Sequence, residues 1–283
     1  MKILAIGDFH GKFPEKLKRI ARGKDIDLIL STGDYANLDK IRAIIFKHWT
    51  DRKWYEVVGL KKAKKLEKEG FDSGLKILKQ LNSLGKKAYI IFGNTDFYED
   101  TKTSEPSSIM PGIYEPKIKK MKDLFLTEEK KVKIRGLEIF GHGKYLDATE
   151  FIKNPIDKDK KKKKYRLNRY EADVKKLNNL LKNKKPKKGF IFLAHYPAYG
   201  YFDKVKNKSS PMNGKHVGFE PYNPLIKKYN PSLFICGHMH EYQGKKRLGN
   251  TLIVSTGAAS EGKAALIDFD EEKKKVKSVR FIK

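Results

Sequence analysis

The chain has 283 residues, 39% of them apolar and 34% charged, the balance of a soluble globular protein with a large core. No apolar stretch approaches the roughly 20 residues that cross a bilayer, and a single cysteine, Cys236, excludes an internal disulfide framework. The 63 basic against 34 acidic residues leave a net charge of +29, which draws polyanions such as nucleic acid or phosphorylated substrates; enrichment in lysine alone has a thermostability explanation, but here glutamate does not keep pace.

The first element, MKILAIGDFHG, has one lysine and an apolar run, but no small-residue cleavage site follows. It therefore reads as a strand, and the chain is expected to be cytoplasmic. FPEKLKRIAR follows as a helix with Phe13, Leu17 and Ile20 on one stripe. DLILSTGDYAN is a second strand, Asp39 to Gly85 a longer helical region, and AYIIFGNTD a third strand. LEIFGHG, GFIFLAHYPAYG, LFICGHMH and TLIVSTGAAS repeat the pattern, and AALIDFD and VKSVRFI close the chain. Each early run is continuously apolar, as in strands buried on both faces, so Cys236 inside LFIC reads as a buried, inert thiol. Alternation of such strands with helices implies a layered α/β fold.

Ligands in such folds collect at the carboxyl ends of the strands. Those ends carry Asp8 and His10, Asp34 and Asn37, Asn94 and Asp96, His142, His195, then His238 and His240. Singly, an aspartate there can cap a helix, an asparagine can make a turn, and a histidine can be structural. Together they form a carboxylate, amide and imidazole set suited to borderline first-row divalent ions. Two such ions bridged by one carboxylate would acidify a shared water and neutralise phosphate oxygens, which is the chemistry of phosphoester hydrolysis. If GHMH continues the extended strand before it, His238 and His240 face the same side.

The ordered set DFH, GDYAN, GNTD, AHYP and GHMH resembles the calcineurin-like metallophosphoesterase family, whose pattern is DxH, GDxxD, GNHD or GNHE, a single-histidine motif, then GHxH. The resemblance spans residues 8 to 240, and STGAAS around Gly257 is similar to the small-residue turn after the last motif. It implies a four-layer αββα sandwich of two mixed β-sheets flanked by helices. Also implied are two divalent ions, manganese first, with iron, nickel, cobalt or zinc as other candidates. By the same resemblance Asp8, His10, Asp34 and His240 would hold one ion. Asp34, Asn94, His195 and His238 would hold the second, with Asp34 as the bridge. The implied reaction is hydrolysis of a phosphoester by a metal-bridging hydroxide.

The sequence departs from the pattern at two places. Asn37 stands where GDxxD has its second aspartate, usually outside the metal shell. Thr95 replaces a histidine that lies near the leaving group, and a hydroxyl is no acid near pH 7. That loss favours a phosphodiesterase over a monoesterase, with Asn94, Thr95 and His216 as catalytic candidates. His142 is a rim candidate. His216 lies in a Gly, Pro and Asn-rich loop, KNKSSPMNGKHVGFEPYNP, and is expected to contact phosphate rather than transfer a proton.

We expect one domain over residues 1 to 283 with insertions at about 38 to 85 and 153 to 188. The second insertion carries Leu167, Tyr170, Val174, Leu177 and Leu181 at helical spacing, as a docking face on the body. The run Lys160 to Lys164 reads as solvated loop, and Tyr165, Arg166, Arg169 and Tyr170 are groups that can stack on bases. A nuclease using this basic surface is the alternative function. A non-catalytic interaction protein on the same fold is another, but it would have lost ligand residues.

Overall fold

The computed structural model describes residues 1 to 49, 53 to 99, 109, 112 to 155 and 159 to 283. Residues 50 to 52 and 156 to 158, which fall in the two expected insertions, lie outside the described residues.

The first half of the chain runs β1 (Lys2–Ile6), α1 (Glu15–Ala21), β2 (Leu28–Ser31), α2 (Asp39–Lys47), α3 (Trp54–Val58), α4 (Leu60–Asn82), β3 (Ala88–Ile90), α5 (Glu115–Ile118) and β4 (Leu124–Leu126). The second runs β5 (Lys131–Ile134), β6 (Leu137–His142), α6 (Thr149–Lys153), α7 (Lys160–Lys184), β7 (Ile191–Ala194), α8 (Tyr222–Tyr229), β8 (Leu233–Cys236), β9 (Gly244–Leu248), β10 (Thr251–Ser255), β11 (Ala264–Asp270) and β12 (Lys275–Ile282). Two six-stranded mixed sheets result, ordered β12-β11-β1-β2-β3-β4 and β5-β6-β7-β8-β10-β9. The strands that carry the motif loops are parallel neighbours: β1, β2 and β3 in one sheet, β6, β7 and β8 in the other. Their carboxyl ends therefore all open in one direction within each sheet.

Alternation within the apolar runs builds three cores. Ile3 and Ala5 of β1 join Leu28, Leu30, Ile191, Leu193, Leu233 and Ile235 between the sheets. Leu4 and Ile6 point the other way, onto Leu17 of α1 and Ile77, Leu78 and Leu81 of α4. On the outer face of the second sheet Phe192 and Phe234 stack on each other, Tyr222 of α8 meets both edge-on, and Leu177 and Leu181 of α7 join the same cluster. Helix, sheet, sheet, helix is thus the layer order, and the central strands β1, β2, β7 and β8 are apolar because both of their faces are covered.

The helix α7 corrects two expectations. Lys160 to Lys164 are not loop but its first turns, with Asp159 as N-cap accepting from the Lys161 amide at 2.8 Å. A carboxylate at that end offsets the unfavourable placement of lysines near the positive pole of the helix. Of the docking stripe, Leu177 and Leu181 are buried and Tyr170 and Val174 pack against the core, but Leu167 stays 41% exposed. Arg166 and Arg169 also turn inward. Their guanidiniums reach the buried Asp147 at 2.9 and 3.4 Å.

The strands β4, β5, β9 and β12 form the sheet edges, and three of them are basic. Lys133 of β5, Lys245, Lys246 and Arg247 of β9, and Lys275, Lys277 and Arg280 of β12 are exposed. Charged edges oppose strand-to-strand association, so part of the basic excess has a structural purpose. Among the described residues no helix is long and apolar enough to cross a membrane.

Inside α4, Gly70 and Gly74 let the helix approach the loop after β2. A Cβ at Gly74 would sit 2.1 Å from the Tyr114 hydroxyl and 3.0 Å from the Ala36 amide. Gly to Ala in a helix interior normally stabilises by about 1 kcal/mol. Here Gly74→Ala is expected to destabilise by about 1–3 kcal/mol through overpacking, read as a lower Tm; a higher Tm would show that α4 does not seat so closely.

Candidate metal centre

The motif loops are built on strained backbone. Asp8, His10, Asp34 and His238 all have positive φ, at 57°, 43°, 59° and 68°. Each non-glycine residue so placed costs about 1–3 kcal/mol, and such residues gather at functional sites. Here the loops brace each other. The amides of Phe9 and His10 both donate to the Asp34 carbonyl, at 2.8 and 3.1 Å, and that of Gly11 to the Tyr35 carbonyl at 2.8 Å.

A buried carboxylate supplies the rest of the brace. Asp96 accepts from the amides of Asp34 and Gly93 through Oδ2, at 2.9 and 2.8 Å, and from those of Tyr35 and Ala36 through Oδ1, at 2.7 and 3.3 Å. Burial and the neighbouring Asp34 charge push Asp96 upward, while these N–H groups favour its ionised form. Glu128 does the same for the next loop, accepting from the amides of Phe92 at 3.0 Å and Gly143 at 2.7 Å. Nothing distinguishes Glu128 in TEEK, and sequence reasoning missed it.

Two groups of side chains converge where these loops meet: Asp8, His10 and His240, and Asp34, His195 and His238, with the donor atoms of each group within 4.8 Å of one another. In the first, His10 Nε2 and His240 Nε2 are 2.9 Å apart and His240 Nε2 lies 3.7 Å from Asp8 Oδ1. In the second, Asn94 Oδ1 sits 2.9 Å from His195 Nε2 and 2.8 Å from His238 Nδ1. Asp34 faces both groups. Its Oδ2 is 3.6 Å from His10 Nε2, and its Oδ1 is 3.6 Å from His195 Nε2. All seven residues expected from the resemblance are therefore together.

Donors bonded to an ion at about 2.0–2.2 Å lie within about 4.4 Å of each other, so the two groups are close to the size a first-row divalent ion requires. The protonation tendencies of His10, His238 and Asp34 agree, and that of His240 runs the other way. Burial lowers His10, and burial with the His195 charge lowers His238 further, so both offer lone pairs at neutral pH. Burial also opposes charge on His240, but its hydrogen bond to Asp8 raises it. For Asp34 the burial cost is outweighed by His195 and His10, which hold the carboxyl well below the usual carboxylate range. His195 donates Nδ1–H to the Thr32 carbonyl at 2.8 Å, which fixes the tautomer with Nε2 free to ligate. The space is tight: a Cβ on Gly93 would meet Asp34 Oδ1 at 2.1 Å, and one on Gly237 would meet Asp8 Oδ2 at 2.4 Å.

Several expectations change. The strand β8 ends at Cys236, and His238 is left-handed, so His238 and His240 reach the site from a turn and not by extended alternation. The His238 amide donates to both Asp8 oxygens, at 2.9 and 3.1 Å, which holds that turn. His142 is no rim residue: it is 1% exposed, with Nδ1 2.7 Å from the Tyr222 hydroxyl. Asn37 is exposed and its Oδ1 accepts from the Asp39 amide at 3.0 Å, starting α2. Thr95 is buried. Its hydroxyl donates to the Ala36 carbonyl at 3.3 Å, and its amide donates to Asp34 Oδ1 at 2.9 Å. His216 lies on the loop between β7 and α8, paired with Asp203. The Cys236 thiol is fully buried and burial pushes its pKa up, as an inert thiol requires.

The model of a family described as metallophosphoesterase, calcineurin superfamily, matches residues 1 to 280. Among solved structures, one chain superposes with a TM-score of 0.67 at 22% identity, covering 100% of this chain and 99% of its own. TT1561 of Thermus thermophilus superposes with a TM-score of 0.52 at 17% identity, over 99% and 97% of the two chains. A dimetal phosphatase from Danio rerio gives 0.52 at 11% identity, over 94% and 92%. At these identities the likeness is one of fold. The comparison with curated proteins gives no match.

Because Asp96 holds four amides of the ligand loops, Asp96→Asn should weaken metal binding by about 10–100-fold, read by manganese titration of the folded variant. An unchanged manganese affinity would remove Asp96 from the positioning of Asp34.

Proposed function

Since the chain belongs to the calcineurin superfamily of metallophosphoesterases, we propose that it is a phosphodiesterase working with two divalent ions, manganese foremost. The observation that carries this reading is Asp34, whose two oxygens each stand 3.6 Å from an imidazole of a different donor group. When bound, two such ions lower the pKa of a water to near neutrality and neutralise phosphate oxygens. Asp8, His10 and His240 would hold one ion, and Asn94, His195 and His238 the other, with Asp34 shared.

The remaining roles belong to the chain itself. Asn94 presents its amide oxygen between two rings, which fixes the loop that would face the scissile phosphate. Thr95 offers no proton to a leaving group, because its hydroxyl is turned to Ala36 and a hydroxyl is too weak an acid near pH 7. Monoesters with alkoxide leaving groups suffer most from that loss. Diesters with better leaving groups are the substrates this arrangement favours unless a group outside the donor set supplies the proton.

The net charge of +29 supports a second reading, a nuclease, in which lysines of the surface hold the phosphate backbone. Arg166 and Arg169 are held by Asp147, so backbone contacts by the exposed lysines of α7 would carry that binding.

The test is hydrolysis by the metal-stripped protein after addition of manganese, against bis-p-nitrophenyl phosphate, p-nitrophenyl phosphate, cyclic nucleotides, and single- and double-stranded DNA and RNA. We expect bis-p-nitrophenyl phosphate to turn over faster than p-nitrophenyl phosphate. The variant Asp34→Asn should lose activity by about 10²-fold or more, because both ions lose a shared ligand. Faster monoester turnover would reverse the substrate class. Binding of nucleic acid that falls steeply with salt, with cleavage, would favour the nuclease.

A further inference from the structure

The loop from Tyr196 to Gly218 leaves the centre directly after His195, and Tyr196 lays its ring 4.1 Å from that of His238. Its middle returns to the same place. Val205, Met212 and Val217 pack against Met239, the residue between His238 and His240. Two hydrogen bonds tie it down further: the Tyr242 hydroxyl donates to the Lys204 carbonyl at 2.8 Å, and the Lys206 amide donates to Glu241 Oε1 at 3.3 Å. The loop is therefore seated on the segment that carries two of the expected ligands.

On this loop stands a carboxylate and imidazole pair. Asp203 is 1% exposed, and its Oδ2 accepts from the amides of Gly200 at 3.0 Å and Gly218 at 3.1 Å. Its Oδ1 accepts from His216 Nδ1 at 2.7 Å. The two amides fix the carboxylate, and the carboxylate fixes the ring. A Cβ on Gly218 would sit 2.7 Å from Asp203 Oδ2, so glycine is needed to let the amide approach. The His216 side chain is 39% exposed and packs at 5.5 Å from the Tyr199 ring. With Nδ1 bound from behind, Nε2 is the nitrogen left for solvent or substrate.

We propose that the Asp203–His216 pair is the general acid of this enzyme, with His216 protonating the departing oxygen and Asp203 positioning it. The proposal rests on the reading of the chain as a metal-dependent phosphoesterase, and it extends the substrates to diesters that release an alkoxide. It supplies the proton that Thr95 cannot give, and it replaces the phosphate contact expected of His216 from sequence alone.

In the step, the phosphorus–oxygen bond to the leaving group breaks and its electron pair goes to that oxygen. His216 Nε2 gives its proton to the same oxygen, and the released alcohol departs neutral. The attacking water forms the new phosphorus–oxygen bond and loses a proton to solvent, and the ring is reprotonated from solvent for the next cycle. Asp203 keeps its negative charge throughout, which offsets the positive charge of the doubly protonated ring. Lys204 and Lys215 are the charged neighbours of His216 along the loop, Lys204 through the bridge that pairs it with His216.

The test compares two diesters that differ in leaving group, bis-p-nitrophenyl phosphate and a dialkyl phosphodiester that must release an alkoxide, with the manganese-loaded protein. General acid help is worth about 10²- to 10⁴-fold and matters little for p-nitrophenolate. His216→Gln should therefore lower kcat for the dialkyl ester by about 10²-fold or more and for bis-p-nitrophenyl phosphate by less than about tenfold. Asp203→Asn should show the same selectivity, and the double variant should be no slower than His216→Gln alone. Because the His216 side chain is exposed, its variant should fold, which an unchanged Tm and manganese affinity check. Equal losses on both substrates, or none, with wild-type turnover intact, would overturn the pair's role alone. Absence of wild-type turnover overturns the phosphodiesterase reading and this proposal with it.

Discussion

The structure depends on one carboxylate facing two ways. Asp34 can turn one oxygen toward His10 and the other toward His195 only because its backbone is left-handed and its amide is held by Asp96. Left-handed backbone at an aspartate is disfavoured, as it is at Asp8, His10 and His238. Hydrogen bonds from one motif loop to the next offset that cost. The sheets then hold the loops in register, since β1, β2 and β3 are parallel in one sheet and β6, β7 and β8 in the other. A site of seven side chains spread over 233 positions of the chain is thus a property of strand order first and of side-chain chemistry second.

The charge of the protein divides into parts with different physical explanations. Lysines and arginines on β5, β9 and β12 guard exposed sheet edges. Arg166 and Arg169 neutralise Asp147 under α7. Lys160 to Lys164 remain as an exposed basic turn at the start of that helix. Net charge alone therefore overstates the surface that a polyanion can use.

Much of the fold was legible because period and burial agree. Continuous apolar runs such as LILS and IFLA mark strands covered on both faces, and the polar residues that follow them mark the open end of each sheet. The seven donor residues were legible for the same reason, together with the resemblance of their motifs. The short edge strands β4, β5 and β9 were not, because Leu124 to Leu126 is brief and KVKI and GKKRL are mostly polar or charged. Leu167 looked like part of a core stripe, yet at that turn the helix meets the body through Arg166 and Arg169 on Asp147, and its apolar contacts begin at Tyr170. The turn at His238 was hidden because φ is set by the bond to Asp8, 230 positions away. Asp203 was hidden likewise: what makes it a partner of His216 is the fold of the loop, and DKVKNK carries no local mark of it.

In the proposed mechanism Asp34 serves two ions, and the most direct measurement is anomalous diffraction from crystals soaked in manganese. Two peaks about 3.5–4 Å apart, with one Asp34 oxygen bonded to each, are the expected result. A single peak, or two that Asp34 does not join, would contradict it.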